Sequence, residues 1–563
     1  MDASARFDDA TTGGSFTLDG ADAEFVARTP GEVVAVLHAA EAAAEGGGAW
    51  VAGWVSYEAA PGLDAALPVR AGPAGGPPLA WFGRFRRRLD TAPEMGEGAP
   101  DVGWMLDTTE AEHRAQVAEV RGLIAAGVTY QVNLTARAHA HVDDVESLYS
   151  SLVAGQGGAY GALIVSPTHA VACASPELFF ARDGASIETR PMKGTVRRGR
   201  WAGEDDAREH HLRTSGKERA ENLMIVDLIR NDVGRVAEYG SVHVPALFET
   251  ERYPTVWQMT STVRGRLRPG TSLADVFTAL FPSGSVTGAP KRSAMHAIAR
   301  LEPARGVYCG AVGYIERGRA RFAVAIRTAT VDRSTGAAEY GTGGGITWSS
   351  DAPAEWRELV AKTAILRRPP RIDGLFETLR SDGEAGERHL DRMAASAQFL
   401  NIPFDRAEGR RLLERHRAPP GRLRLDLARD GRMWVTCSPL PDLRPVRLAW
   451  AEEPVDSGDV RLFHKTWDRE PYDRRRATTP GADDVILVNE RGEVTETTTA
   501  NVAVRIEGRW WTPPVDCGLL AGVERARLIA DETLAERVIH REEVREVAVV
   551  NSLRGWRPAT LIS

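Results

Sequence analysis

The chain has 563 residues, about three to four domain-sized units at roughly 150 residues each, fewer if some are large single-core enzymes. Apolar residues make up 43% and charged residues 26%, which excludes a mainly disordered or collagen-like chain despite 55 Gly and 32 Pro. Seventy Lys and Arg against 77 Asp and Glu leave a net charge of −7, which argues against nucleic acid as a partner. Cys173, Cys309, Cys437 and Cys517 are scattered singly, so neither a zinc site nor a disulfide framework is expected, and a cytoplasmic location fits. The N-terminus lacks an apolar h-region and no window is long enough to cross a bilayer, so no membrane association is expected.

In chain order, Ala71–Pro78 is rich in Gly and Pro, but strand-like residues resume at Leu79, so it reads as a surface loop. Helices are predicted over Thr108–Ala126, Lys217–Asn231 and Ser293–Leu301, and strands over Gly161–Val165, Glu177–Arg182, Gly310–Glu316 and Arg321–Val331. This is an α+β core. Consecutive prolines in Arg367-Arg368-Pro369-Pro370-Arg371 forbid continuation of the helix-like run Ala354–Leu366 and mark a seam. Beyond it lie a strand, Asp484–Val488, and a helix from Val523 to Ala535 preceded by Gly518 and Gly522, as in a second, smaller α+β enzyme domain. The expected organisation is a domain over 1–367, a linker over 368–372 and a domain over 373–563.

Three upstream features carry chemistry. Glu177 stands at the mouth of an apolar strand, and Lys193 is pinned between Pro191 and Gly194. Glu218 and Glu221, three apart, share one helix face. A second acidic helix bearing Glu355 and Glu358 follows the run Gly341-Thr342-Gly343-Gly344-Gly345, whose unobstructed amides suit a carboxylate. Two carboxylates on separate helices with substrate oxygens would satisfy Mg²⁺. Alone, the glutamates read as well as a solvated helix face paired with Lys217 and Arg219.

The ordered set Tyr130–Leu134, Ser175–Glu177, Pro191–Thr195, Glu221–Asp232, Pro282–Lys291 and Gly343–Glu358 resembles the chorismate-utilising enzymes over roughly residues 20 to 367. The resemblance implies a core of antiparallel sheets flanked by helices. It implies Mg²⁺ held by Glu221 and Glu358, with Glu218 and Glu355 nearby. A chorismate pocket would be formed by Gln131, Thr287, Tyr308, Tyr314, Arg327, Gly343, Gly344 and Gly345. Isochorismate and salicylate synthases carry a lysine base where Gln131 stands, and glutamine cannot activate water. Anthranilate synthases usually carry Ala where Lys193 stands, whereas Pro-Met-Lys-Gly-Thr resembles the aminodeoxychorismate synthase component I branch. A neutral Lys193 would displace the C4 hydroxyl of chorismate by attack at C2, with Glu177 as general acid, before ammonia expels it. None of the four cysteines has the Gly-x-Cys-x-Gly context of a glutaminase nucleophile, so a separate glutamine amidotransferase subunit is implied as the ammonia source.

Downstream, Lys465 follows His464, Glu496 lies in a threonine-rich strand, and the loop Gly518–Gly522 enters a helix whose free amides suit a phosphate. Arg392 can add a cation. A lysine, a carboxylate and a phosphate cup meet the needs of pyridoxal 5′-phosphate (PLP). With Gly374–Arg380 and His389–Met393, these residues resemble the fold-type IV PLP family of branched-chain aminotransferases and aminodeoxychorismate lyase over about 373–563. That resemblance implies Lys465 as Schiff-base lysine, Glu496 at the ring nitrogen, phosphate held by Arg392 and the amides of Val523 and Glu524, and a homodimer through this domain. The family opens with a further strand before Gly374, for which the seam leaves almost no room. The combined expectation is a bifunctional route from chorismate to 4-aminobenzoate. The alternatives are an anthranilate or 2-amino-2-deoxyisochorismate synthase joined to a PLP aminotransferase, or a catalytically inactive regulatory partner.

Overall fold

The computed structural model describes residues 3–46, 48–90, 102–366, 372–382, 386–416, 421–440, 444–479 and 481–562. The proline seam lies outside them, as does the expected linker apart from Ile372. The chain forms two compact units, one of Met1–Arg198 with Arg208–Pro369, the other of Gly199–Ala207 with Pro370–Ser563. The segment Gly199–Ala207 thus groups with the second unit, a division that no single boundary expresses.

In the first unit, eighteen strands among the described residues form one connected antiparallel system. The strands that carry function are β1 (Gln131–His141), β2 (Leu178–Asp183) and β3 (Met192–Arg197). Helix α1 (Gly216–Gly234) follows, capped by Ser215, whose side chain accepts from the Glu218 amide. Its face of Ile225, Val226, Ile229 and Val233 is buried, and Glu218 and Glu221 continue that side of the helix toward its N-terminus. Next come β4 (Val256–Arg266), β5 (Ala311–Glu316) and β6 (Ala337–Ile346). Helix α2 (Ala352–Ala361) is capped by Asp351, which accepts from the Ala354 amide.

The stretch expected as one strand from Arg321 to Val331 is two, Arg319–Val324 and Thr328–Asp332. Arg327, at the break between them, has a φ of 53°, a left-handed conformation that redirects the backbone. The main apolar core includes Leu134, Phe180, Ile225, Phe277 and Phe322, and four phenylalanines, Phe179, Phe180, Phe277 and Phe322, stack edge-on within it.

The second unit opens with β7 (Gly374–Arg380) in a three-stranded antiparallel sheet, with helix α3 (Gly386–Leu400) packed on it. Within this unit no strand precedes β7 among the described residues. An eight-stranded sheet contains β8 (Val494–Thr497) and β9 (Asn501–Ile506), joined by a tight turn, so the threonine-rich strand expected around Glu496 ends at Thr497. Helix α4 (Val523–Ala530) is shorter than the expected Val523–Ala535. It stops because Asp531 accepts from the Thr533 amide and Glu532 adopts a φ of 61°.

Candidate functional site

In the first unit one cavity is lined by Glu177, Lys193, Glu218, Glu221, Ser285, Tyr308, Arg327, Gly343–Gly345, Glu355, Glu358 and Lys362. Strand β3 projects Lys193 into it. The helix α1 side chain Asn222 donates to the Lys193 carbonyl at 3.1 Å and accepts from Ser261 at 2.6 Å, fixing that strand against α1. A Cβ added at Gly345 would overlap both Lys193 Nζ and Gln131 Nε2, so amine and amide meet over this glycine. Both polar atoms of the Gln131 amide are buried without a hydrogen-bond partner, a cost that a polar ligand would remove.

Glu177 is buried, and burial pushes its carboxyl up to about 7, opposed by a hydrogen bond from Ser285 and the Lys193 charge. Ser285 donates to Glu177 Oε1 at 2.6 Å and shares a 2.9 Å hydrogen bond with Ser283.

The glycine run is part of strand β6 and pairs with β1, Gly343 opposite Thr135 and Gly345 opposite Asn133. The amides of Thr135 and Asn133 bond elsewhere, to Glu302 and to Thr287. These are therefore non-hydrogen-bonded pairs, and the N–H groups of Gly343 and Gly345 point to the outer edge of the strand. Lys362 reaches the same edge, donating to the Gly343 carbonyl at 2.7 Å while pairing with Glu358 at 2.7 Å. Lys217 lies 4.0 Å from Glu221. Burial and the neighbouring Glu221 raise the Glu218 carboxyl, burial raises that of Glu355, and Lys362 lowers that of Glu358. Among the described residues no three His, Cys, Asp or Glu side chains converge closely enough to hold a metal by themselves.

In the second unit, Phe376 donates its amide to the Lys465 carbonyl at 2.8 Å, tying the lysine's backbone to β7. Burial lowers the Lys465 amine to about 8. Glu496 on β8 is buried and pushed up to about 7 by burial. Its Oε1 accepts from Tyr472 at 2.8 Å and the Leu520 amide at 3.0 Å, and its Oε2 accepts from Asn501 at 3.1 Å. Arg392 grips the buried Glu377 through Nε at 2.8 Å and Nη2 at 2.6 Å, and donates from Nη1 to the Ala521 carbonyl at 3.0 Å. Val523 and Glu524 open helix α4 behind Gly522, with no side chain capping their amides. A Cβ at Gly522 would strike the Asn501 amide oxygen, so this loop approaches more closely than any other residue allows.

Residues 90–368 match the model of the chorismate binding enzyme family, and residues 374–562 match that of the class IV amino-transferases. The chain thus carries a region that matches the chorismate binding enzymes, followed by one that matches the class IV amino-transferases. Its first domain is similar to aminodeoxychorismate synthase of Streptomyces pristinaespiralis, 44% identical over 256 residues, which are 44% of this chain and 35% of that protein. Anthranilate synthase component 1 of Streptomyces coelicolor is 42% identical over 47% of this chain and 52% of its own. Aminodeoxychorismate synthase component 1 of Klebsiella aerogenes is 38% identical over 50% of this chain and 62% of its own. The chain thus spans 35% to 62% of these relatives. The structure of anthranilate synthase component I from Streptococcus pneumoniae shares the fold, with a TM-score of 0.53 and 24% identity over 65% of this chain and 90% of that one.

Most of the residues expected in the chorismate-binding domain line the one cavity, and three, Gln131, Thr287 and Tyr314, do not. Tyr314 on β5 faces a different cavity, its ring 4.9 Å from Phe7 and 5.3 Å from Phe16, because alternate strand residues point to opposite sheet faces. Thr287 is buried and turns its hydroxyl to the Ser283 carbonyl at 3.0 Å, while Ser285, two residues earlier, lines the cavity. The sequence reading also missed Lys362, recognisable from its place four residues after Glu358 on the same helical turn. In the class IV domain it missed Glu377, His389 and Tyr472 as partners of the expected residues. His389 Nδ1 lies 2.7 Å from Glu377 Oε2.

Proposed function

We propose that this chain makes 4-aminobenzoate in two steps, aminating chorismate at C4 in its first domain and releasing pyruvate from 4-amino-4-deoxychorismate in its second. The observation that carries the reading is the presence of the Lys193 amine and the protonatable Glu177 in one cavity with an acidic and a glycine-lined wall, the unpartnered Gln131 amide buried beside the Lys193 amine at Gly345. An amine opposite an acid near neutrality fits displacement of a hydroxyl. Lys193 attacks C2, the ring double bond shifts, and the C4 hydroxyl leaves as water with the Glu177 proton. Ammonia then attacks C4, the double bond returns, and the Lys193 amine is expelled. The outward N–H groups of Gly343 and Gly345 and the Arg327 guanidinium suit the substrate carboxylates.

Four carboxylates on one wall, two of them raised by burial and mutual repulsion, fit a divalent cation. Mg²⁺ would sit on Glu221 and Glu358, with Glu218 and Glu355 beside it, and complete its shell with water and substrate oxygens. It would neutralise the substrate's ring carboxylate. Ammonia would come from a separate glutamine amidotransferase subunit. The free cysteines suit a reducing, cytoplasmic setting.

The class IV domain fits PLP. Arg392 and the amides of Val523 and Glu524 would hold its phosphate, Glu496 its ring nitrogen and Lys465 its aldehyde carbon. Bound PLP would supply an electron sink for cleavage at the amine-bearing carbon. Lys465 takes the proton from C4 of the aminated ring and returns a proton to the departing side chain, which leaves as pyruvate while the ring becomes aromatic. A homodimer through this domain is part of the proposal.

Separate removal of the two lysines tests the assignment. Lys193→Ala should lose amination yet release pyruvate from supplied 4-amino-4-deoxychorismate. Lys465→Ala should accumulate that compound from chorismate and ammonium. The same block from both substitutions would contradict two separate reactions.

A further inference from the structure

The second unit is built from two pieces of chain, and the smaller, Gly199–Ala207, begins two residues after the strand that carries Lys193. Within this unit the Trp201 ring stacks on Phe463, centroids 5.1 Å apart and planes 24° apart. It closes over the buried cluster of Leu462, Tyr472 and Val485. The Arg200 guanidinium lies 4.9 Å from the Trp201 ring and 5.0 Å from that of Phe463. It donates to the carbonyls of Ser457 and Asp516 at 3.2 Å and pairs with the Asp516 carboxylate at 2.8 Å. The two side chains anchor the backbone between them from both sides.

That backbone meets His464, the residue before Lys465. The imidazole is buried, stacked 4.6 Å from the Phe399 ring, with Nε2 3.0 Å from the Arg200 carbonyl and Nδ1 2.9 Å from the Ser396 hydroxyl. A carbonyl oxygen only accepts, so Nε2 carries the hydrogen, and Nδ1 shares a hydrogen bond with the Ser396 hydroxyl. The ring is therefore a strut between helix α3 and the Arg200 carbonyl. Without that carbonyl the buried N–H would lose this hydrogen bond.

We propose that Arg200 and Trp201 are positioning residues for Lys465: they hold the carbonyl that fixes His464, and His464 sets the backbone from which the lysine reaches the cofactor. The inference rests on the reading of Lys465 as the residue that bonds PLP. A residue of the amino-terminal region would then serve the class IV domain, and residues 373–563 alone would form an incomplete site.

The test uses the full chain freed of PLP and titrated with PLP, following the visible absorbance of the lysine-bound cofactor and the protein fluorescence. Trp201→Ala and Arg200→Ala should each weaken PLP on the order of tenfold and move the pH midpoint of that absorbance. Trp201→Phe should restore both. Thermal unfolding of the PLP-free variants separates a local effect from loss of fold, and Arg200→Ala, which removes no core side chain, keeps the test decisive where Trp201→Ala unfolds. Wild-type affinity and midpoint in Arg200→Ala and Trp201→Ala, with the absorbance lost in Lys465→Ala, would overturn the positioning role. Absorbance retained in Lys465→Ala would instead overturn the reading on which it rests.

Discussion

Ser285 donates its hydroxyl hydrogen to Oε1 of Glu177 at 2.6 Å inside the cavity that also holds Lys193. The contact both orients the carboxyl and restrains its affinity for a proton, since burial alone would raise it further. Amination needs the protonated acid. At a fixed concentration of free ammonia, the protonated fraction of Glu177 should therefore impose an alkaline limb in which the rate falls about tenfold per pH unit above about pH 7. Ser285→Ala removes an interaction that favours the carboxylate, so the falling limb should move to higher pH. An unmoved limb would separate Glu177 from the titration.

Gly345→Ala tests the meeting of amine and amide. The new methyl overlaps Lys193 Nζ and Gln131 Nε2, both ends of side chains that can move, so the fold should survive. The reacting amine should not keep its place. A displacement of about 1 Å costs on the order of a hundredfold, and amination should drop by that much while pyruvate release from supplied 4-amino-4-deoxychorismate is unchanged.

Glu221→Gln and Glu358→Gln each replace an anionic oxygen with a neutral one. Both should raise the Mg²⁺ concentration needed for half-maximal amination and lower the maximum. Glu358→Gln also removes the negative charge that pairs with Lys362, leaving its bond to the Gly343 carbonyl in place. Unchanged Mg²⁺ dependence in both variants would remove the metal from these residues.

Glu377→Ala should destabilise the class IV domain by about 3–5 kcal/mol, because it leaves Arg392 and His389 without their shared buried carboxylate. Glu377 is held well below the usual carboxylate range by Arg392 and His389 against the cost of burial. A depressed carboxylate contributes stability that is present above its unfolded value and lost as pH falls. The variant should accordingly lose less stability on acidification than the wild type, measured by denaturant titration at several pH values.

The gathering of the candidate side chains was legible in the sequence where residue type and order sufficed. Lys193, Glu177 and the two glutamate pairs come together because strand β3 and helices α1 and α2 place them on one cavity wall. Tyr314 was not, since a period of two tells that a strand has two faces and not which face the cavity lies behind. The end of helix α4 was overextended because the apolar pattern continues past Asp531, whose side chain competes for the backbone. Ser285 and Asn222 act through hydrogen bonds across 108 and 29 positions of sequence, and the segment Gly199–Ala207 joins a unit whose remainder begins at Pro370. Such long-range partners leave no local periodicity to read.

The most direct measurement is product analysis of the purified full chain supplied with chorismate, ammonium, Mg²⁺ and PLP. The account predicts 4-aminobenzoate and pyruvate in equal amounts, with 4-amino-4-deoxychorismate passing through and no 2-aminobenzoate. A ring aminated at C2, or a C4-aminated product that never loses pyruvate, would contradict it.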